Sequence, residues 1–323
     1  MKCSDFFLCG ADMGLERHDV CADKPLVLAI GVFDGVHLGH RKLLDEAVRL
    51  AQELNAVPAA LTFDPHPRSV LFPETPTQLL MELQDRLRLL VESGMAVTAV
   101  AEFTREFAAT EPEVFLDGLF RQIPQLAGIV VGSCWRFGAR GTGNVEVLGR
   151  YAAGHGLQLR AVPELQIGTE VVSASTIRRL IAEGKLDEAA ELLGRSYSLA
   201  GQVSSGYGIA GSKLDCPTAN IVCQAGVLPP NGVYAGWIEC NKGSFAAAVN
   251  IGVAPTYDRS ADKVRRIEAH LLDFNGNLYD QRVKLTLGRY LRAEQRFDCE
   301  ENLKKQIACD VENIRRWAAE NMR

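Results

Sequence analysis

The sequence predicts a doubly wound α/β domain with a parallel sheet, followed by a small six-stranded antiparallel β-barrel and a C-terminal helix. Three observations predict it. Apolar runs at residues 26–30, 59–63, 97–101, 129–131 and 157–162 alternate with segments of helical spacing, and strand–helix alternation of that length implies a parallel sheet. From about Tyr197 the pattern changes to short β-type runs at 197–204, 218–222, 232–238, 245–251, 268–272 and 282–290, punctuated by Gly, Pro and Asn turns, which suggests a small antiparallel barrel. Finally, Asp298 stands three residues before Glu301 as a capping box, and Leu303, Ile307, Val311 and Ile314 supply the apolar stripe of a last helix.

The segments between the strands read as helices. Leu43, Leu44, Ala47, Leu50, Ala51 and Leu54 form one amphipathic stripe. Leu79, Leu80, Leu83, Leu87, Leu90 and Val91 form a second, closed by Gly94 as a C′ residue. Between Ser173 and Leu193 the pattern turns helical twice, with Gly184 as the break. The expected division is a first domain over residues 1–184, a linking segment over 185–196 and a second domain over 197–323.

A chain of 323 residues is longer than one core usually fills, which also favours two domains. Its 47% hydrophobic and 23% charged content is that of an ordinary globular protein. A net charge of −5 provides no basic stripe, so nucleic acid is not expected as a partner and phosphate recognition should be local. Residues 1–24 contain no apolar stretch long enough for a signal peptide, and no later segment approaches a membrane span, so a cytoplasmic protein is expected. Nine cysteines without a C-x-x-C pair fit neither a disulfide framework nor a zinc site.

Chemistry first appears at Gly31-Val32-Phe33-Asp34-Gly35-Val36-His37-Leu38-Gly39-His40, directly after the first apolar run. A helix start presents free N–H groups and a partial positive charge to phosphate oxygens, and imidazoles there can donate to the same anion. His37 and His40 are therefore candidate triphosphate ligands, with Gly31, Phe33, Asp34 and Gly39 shaping the turn. The alternative is a pair of ordinary helix-start histidines. The motif G-x-F-D-G-x-H-x-G-H is similar to the signature of the adenylyl-transferring nucleotidyltransferase superfamily.

Thr62-Phe63-Asp64-Pro65-His66-Pro67 closes the second apolar run. Its prolines set a stiff loop at the same sheet edge, which either bears on the site through Asp64 and His66 or is simply a rigid turn. The stretch Trp135 to Asn144 carries Arg136, Phe137 and Arg140 among glycines. Aromatic rings with guanidinium groups suit a flavin or adenine ring and a phosphate, although a plain βα loop reads the same way. Ser173-Ala174-Ser175-Thr176-Ile177-Arg178 opens a helix with hydroxyl caps. Arg178, expected on the first turn, opposes the helix dipole unless an anion lies between them.

In the second half, Gly206-Tyr207-Gly208-Ile209-Ala210-Gly211 matches G-x-G-x-x-G by spacing alone, since Pro217 and a β-like run follow instead of a helix. A hairpin loop and a flap over phosphates through Gly206 and Gly211 both remain open. Thr218 and Asn220 stand two apart, hence on one face of a strand, where neutral oxygens suit Mg²⁺. Glu268 reads either as a solvent-facing strand residue or as a base.

The ordered set of these motifs, with Asn250-Ile251-Gly252, Pro255-Thr256, Glu268-Ala269-His270, Leu278-Tyr279 and Leu291-Arg292-x-Glu294-x-x-Phe297, resembles the prokaryotic bifunctional riboflavin kinase/FAD synthetase (FMN adenylyltransferase) family over nearly the whole chain. The resemblance implies two ATP-dependent, Mg²⁺-assisted transfers, from riboflavin to FMN and from FMN to FAD. It implies ATP-phosphate binding by His37, His40, Ser173, Ser175 and Arg178, with flavin contacts from Asp64, His66, Arg136, Phe137 and Arg292. It further implies that Thr218 and Asn220 position Mg²⁺ and ATP phosphates while Glu268 is the general base. The chain departs from the pattern at Cys134, Trp135, Ala174, Asp215, Cys216 and Asp280. Asp215 adds negative charge beside a phosphate site unless Lys213 or the metal offsets it. A monofunctional enzyme with one degenerate domain and a non-catalytic flavin- or nucleotide-binding regulator are the alternatives.

Overall fold

The computed structural model describes residues 5–8, 24–204, 218–253, 265–295 and 297–321. Gly206, Gly211, Asp215 and Cys216, with the rest of the glycine loop, lie outside the described residues. The chain forms two compact units, Met1–Leu79 with Leu83–Thr176, and Leu80–Glu82 with Ile177–Arg323.

The first unit holds, in chain order, β1 (Asp5–Leu8), β2 (Leu26–Ile30), α1 (Leu38–Glu53), β3 (Val57–Asp64), α2 (Pro67–Leu71), α3 (Leu83–Glu92), β4 (Val97–Glu102), α4 (Arg105–Ala108), α5 (Pro112–Gln122), β5 (Leu126–Gly132), α6 (Val145–Gly154), β6 (Gln158–Val162), β7 (Gln166–Ile167) and β8 (Glu170–Val171). The sheet order is β1-β4-β3-β2-β5-β6, and every pairing in it is parallel. The five expected strands are present; β1 and the small β7–β8 hairpin are additional. Strand β2 is buried at every position. The chain winds outward from it to β3 and β4 on one side, then to β5 and β6 on the other. The turning point therefore lies between β2 and β5, and ligands of such sheets bind beyond the carboxyl ends of those strands.

Helix α1 forms because Leu43, Leu44, Ala47, Leu50 and Ala51 give it one buried face. It stops where Asn55 takes a left-handed φ of 50°, a conformation that Asn tolerates well. Helix α3 buries Leu87, Leu89 and Leu90 and is followed by Gly94 at φ 92°, as a C′ glycine requires. Leu79 and Leu80 precede this helix rather than belong to it.

Helices α7 (Ala174–Ala182) and α8 (Leu186–Leu193) lead to the barrel. Its strands are β9 (Ser198–Ser204), β10 (Ala219–Val222), β11 (Gly232–Cys240), β12 (Gly243–Val253), β13 (Arg265–Leu271) and β14 (Arg282–Arg292). They close in the order β10-β13-β12-β11-β14-β9. Alternation sets the two faces: on β13, Ile267, Ala269 and Leu271 are buried while Glu268 and His270 are only half-buried. Helix α9 (Glu300–Glu320) lays Ile314, Trp317 and Ala318 against Ala235 and Leu272, flanked by Trp237, Ala246, Ala248 and Leu291. The expected cap of α9 is corrected: Cys299 holds the N-cap position without a side-chain bond, so Asp298 lies one residue too early to close a capping box.

Candidate functional site

The turn after β2 is held in unusual backbone. Phe33 and Val36 have φ of 53° and 36°, costly for any side chain and most of all for β-branched valine. Strain of this kind persists where surrounding structure over-determines it, and here the surroundings are visible. Gly31 N–H donates to Leu61 O, Val36 N–H to Phe33 O, and the Thr62 hydroxyl donates to Val32 O at 2.8 Å. His37 then caps α1, its Nδ1 accepting from His40 N–H at 3.2 Å. The imidazoles stack with centroids 3.6 Å apart, and the Phe33 ring meets His40 edge-on.

Phe33, Asp34 and His37 are buried, so the Phe33 side chain supports His40 from beneath. A Cβ on Gly39 would stand 3.2 Å from both His37 Nδ1 and Val172 O. The absent side chain thus lets the start of α1 approach the chain entering α7. Ser173 caps α7 there, its Oγ accepting from Thr176 N–H at 3.1 Å and bonded to Thr176 Oγ1. Ser175 is exposed on the first turn. Because the helix begins at Ala174, Arg178 is its fifth residue and lies on the second turn, not the first. Two helix N-termini therefore approach each other beside His37 and His40, and helix starts offer N–H groups and partial positive charge of the kind that anions seek.

The loop after β3 flanks this site. His66 caps α2 by accepting from Arg68 N–H, and Asp64 is half-buried. After β5, Phe137 is buried and belongs to the core with Phe115 and Leu148, which corrects the expectation that its face meets a flavin. Its ring stacks on Trp135 at 4.5 Å, and Trp135 is the half-exposed member of that pair, with Arg136 exposed between them.

In the barrel, strand register assembles what sequence spacing cannot. Asn220 on β10 pairs with Glu268 on β13 and with Ser204 on β9, and Glu268 pairs in turn with Asn250 on β12. Directly opposed residues share a face, so Ser204, Asn220, Glu268 and Asn250 form one polar rung. Each is half-buried, and Glu268 and Asn250 stand between buried neighbours on their strands. Ser204 was not anticipated, because the rung depends on cross-strand register and not on any local motif. Thr218 precedes the first residue of β10 and so sits at the strand's entrance rather than within it.

Two barrel motifs find structural roles. Asp280, where the family pattern commonly has glycine, takes φ 61°, a left-handed position that Asp can occupy. Arg292 is engaged by Asp310 on α9, with Nε and Nη2 bonding its carboxylate and Nη1 bonding Ala293 O. Asp310 is buried, so this two-pronged bond ties α9 to β14.

Among the described residues no cluster of three His, Cys, Asp or Glu side chains can hold a metal, and no helix is long and apolar enough to cross a membrane. The oxygen donors of Thr218 and Asn220 do fit a hard cation that keeps waters and takes its remaining ligands from substrate phosphates.

The chain matches two family models, one described as FAD synthetase over residues 20–176 and one described as riboflavin kinase over residues 193–318. It is 31% identical to the bifunctional riboflavin kinase/FMN adenylyltransferase of Buchnera aphidicola, across 90% of this chain and 93% of the relative. The enzymes of that name from Listeria monocytogenes and Escherichia coli K12 are also 31% identical, covering 95% and 94% of those proteins. A crystal structure from Streptococcus pneumoniae, titled as a macrolide-efflux protein, matches with a TM-score of 0.83 at 25% identity over 97% of this chain and 99% of that one. Sheet and barrel, each with its matching motifs, thus lead to one statement: the chain belongs to the family of bifunctional riboflavin kinases/FMN adenylyltransferases.

Proposed function

We propose that this chain makes flavin cofactors in two steps, phosphorylating riboflavin to FMN and adenylylating FMN to FAD, both at the expense of ATP. One observation carries the reading: the synthetase and kinase matches fall on different folds, the parallel sheet and the barrel, each with its own polar site. Riboflavin, FMN and ATP are the substrates. The first step is assigned to the barrel, residues 197–323, and the second to the sheet, residues 1–184, with 185–196 linking them.

In the sheet, His37, His40, Ser173, Ser175 and Arg178 are assigned to the ATP phosphates, with Gly31, Phe33, Asp34 and Gly39 fixing the turn. Imidazole donors and helix N-termini stabilise charge that develops on the α-phosphate and on departing pyrophosphate. Asp64, His66 and Arg136 are assigned to the FMN side, with the core-packed Phe137 ring backing Trp135 from within. The FMN phosphate attacks directly, so no covalent enzyme intermediate is needed.

In the barrel, Glu268 accepts the proton of riboflavin's terminal ribityl hydroxyl as that oxygen attacks the γ-phosphate. Asn220 and Thr218 hold the phosphate side, and Mg²⁺ bound there would neutralise phosphate charge. Gly206 and Gly211 are assigned to the same phosphates from the glycine loop. Arg292 acts by anchoring α9 through Asp310, which fixes the flavin side of the barrel. A cytoplasmic setting agrees with ATP as substrate and with the free thiols of Cys134, Cys223, Cys240, Cys299 and Cys309.

The test is incubation of purified chain with riboflavin, ATP and Mg²⁺, followed by chromatographic separation of flavins. FAD is expected. FMN alone would mean that the sheet site is inactive, and unchanged riboflavin would mean that the barrel is. FMN supplied separately distinguishes a synthetase-only enzyme from a non-catalytic binder.

A further inference from the structure

Helix α3 carries a cation where its stripe calls for an aliphatic residue. Arg86 is fully buried among Leu87, Leu89 and Leu90, and a buried charge is retained only where it is paired or bonded. Its Nη1 donates to Val32 O at 3.1 Å, to Thr62 Oγ1 at 3.0 Å and to Phe63 O at 2.8 Å. Its Nη2 stands 3.6 Å from Asp64 Oδ1. Nε and Nη2 make no hydrogen bond although they are buried, so the side chain has been drawn in for its reach and charge, not for full satisfaction of its donors. Burial pushes the guanidinium below its usual range, and the charges of Asp34 and Asp64 work against that fall.

These partners lie in the turn after β2 and in the last three residues of β3, where the two candidate loops begin. Val32 precedes the left-handed residues Phe33 and Val36, which set the direction of the chain into His37. Phe63 and Asp64 open the loop that carries His66. Thr62 closes the triangle by donating to Val32 O. One nitrogen thereby binds the backbone of the turn after β2 and of the carboxyl end of the neighbouring strand β3.

We propose that Arg86 is a positioning residue for adenylyl transfer: from beneath the sheet edge it fixes the spacing between the ATP-phosphate turn and the Asp64–His66 loop. The inference rests on the assignment of adenylyl transfer to the sheet. Reaction between two bound substrates depends on their alignment, and a misplacement of about 1 Å can cost roughly a hundredfold in rate.

The test uses the full chain as wild type, Arg86→Met, Arg86→Lys and Thr62→Val. For each, kcat and KM are measured for FAD formation from FMN, with riboflavin phosphorylation by the same sample and thermal unfolding alongside. Arg86→Met should lower kcat for FAD formation about tenfold or more, with KM for ATP changed far less and kinase turnover unchanged. Arg86→Lys, keeping charge and part of the reach, should recover most of the loss. A merely structural role predicts instead that Arg86→Met loses only the unfolded fraction, with kcat per folded molecule intact, and that result overturns the proposal. Should Arg86→Met fail to fold, Thr62→Val decides: a several-fold lower kcat for FAD formation supports the proposal, and a wild-type kcat overturns it. If the wild type forms no FAD at all, the assignment of the sheet falls, and the inference falls with it.

Discussion

The sheet and the barrel arrange their candidate site residues by opposite means. In the sheet, functional groups sit on irregular backbone beyond the strand ends. Left-handed Phe33 and Val36, buried His37 and the close approach permitted by Gly39 hold them there. In the barrel, Ser204, Asn220, Glu268 and Asn250 lie on regular strands, and plain antiparallel register aligns them. The first site is made by local exceptions and the second by obedience to the pleat. The sheet site should therefore be sensitive to backbone changes several residues from any ligand, whereas the barrel site should respond chiefly to its polar side chains and to whatever keeps its strands in register.

The largest expected effect is at Glu268. Glu268→Gln removes the proton acceptor while preserving shape, and should lower riboflavin phosphorylation by about 10²–10⁴-fold, leaving FAD formation from supplied FMN intact in a product assay. In the sheet, His40→Ala should lower FAD formation by about 10²-fold, with phosphorylation of riboflavin unchanged in the same assay. Next, Trp317→Ala empties the contact between α9 and β11. It should cost the barrel about 3–5 kcal/mol, read as a lower unfolding temperature accompanied by loss of kinase turnover. Smallest is Ser173→Ala, which removes the cap of α7 and should cost about 1 kcal/mol of stability, read as a slightly lower unfolding temperature with the kinase reaction kept. Comparable damage to both activities from each of these changes would erase the contrast between the two regions.

Periodicity made both architectures legible, because burial imposes a period of about 3.6 on helices and 2 on strands. The runs from Leu26 and from Phe245 announce their strands, and the Leu43–Leu50 stripe announces α1. Elements too short for a period were hidden: β1 is Asp-Phe-Phe-Leu, and β7 and β8 have two residues each. The start of α9 is not legible because Cys299 at the N-cap makes no side-chain cap bond, while Asp298, which has a capping side chain, lies one residue outside.

The candidate residues of the sheet are visible as motifs because a turn compresses them into ten residues. Arg86 was not, since a charge inside a leucine stripe reads as a solvated edge until its partners on two other elements are seen. Phe137 shows the converse: an aromatic in a glycine-rich loop resembled a ligand platform, yet the ring completes the core beneath Trp135. Asn220 and Glu268 are individually ordinary, and their alignment belongs to strand pairing between residues 48 positions apart.

If two independent sites share FMN as product and substrate, a mixture of two single-site variants should restore what each lacks alone. His40→Ala and Glu268→Gln chains are assayed separately and at equal concentration together, with riboflavin, ATP and Mg²⁺, and FAD is quantified. The first should accumulate FMN, the second should leave riboflavin unchanged, and the mixture should yield substantial FAD, since FMN released by one chain is consumed by the other. No FAD from the mixture, with each variant impaired in both reactions, would contradict two independent sites.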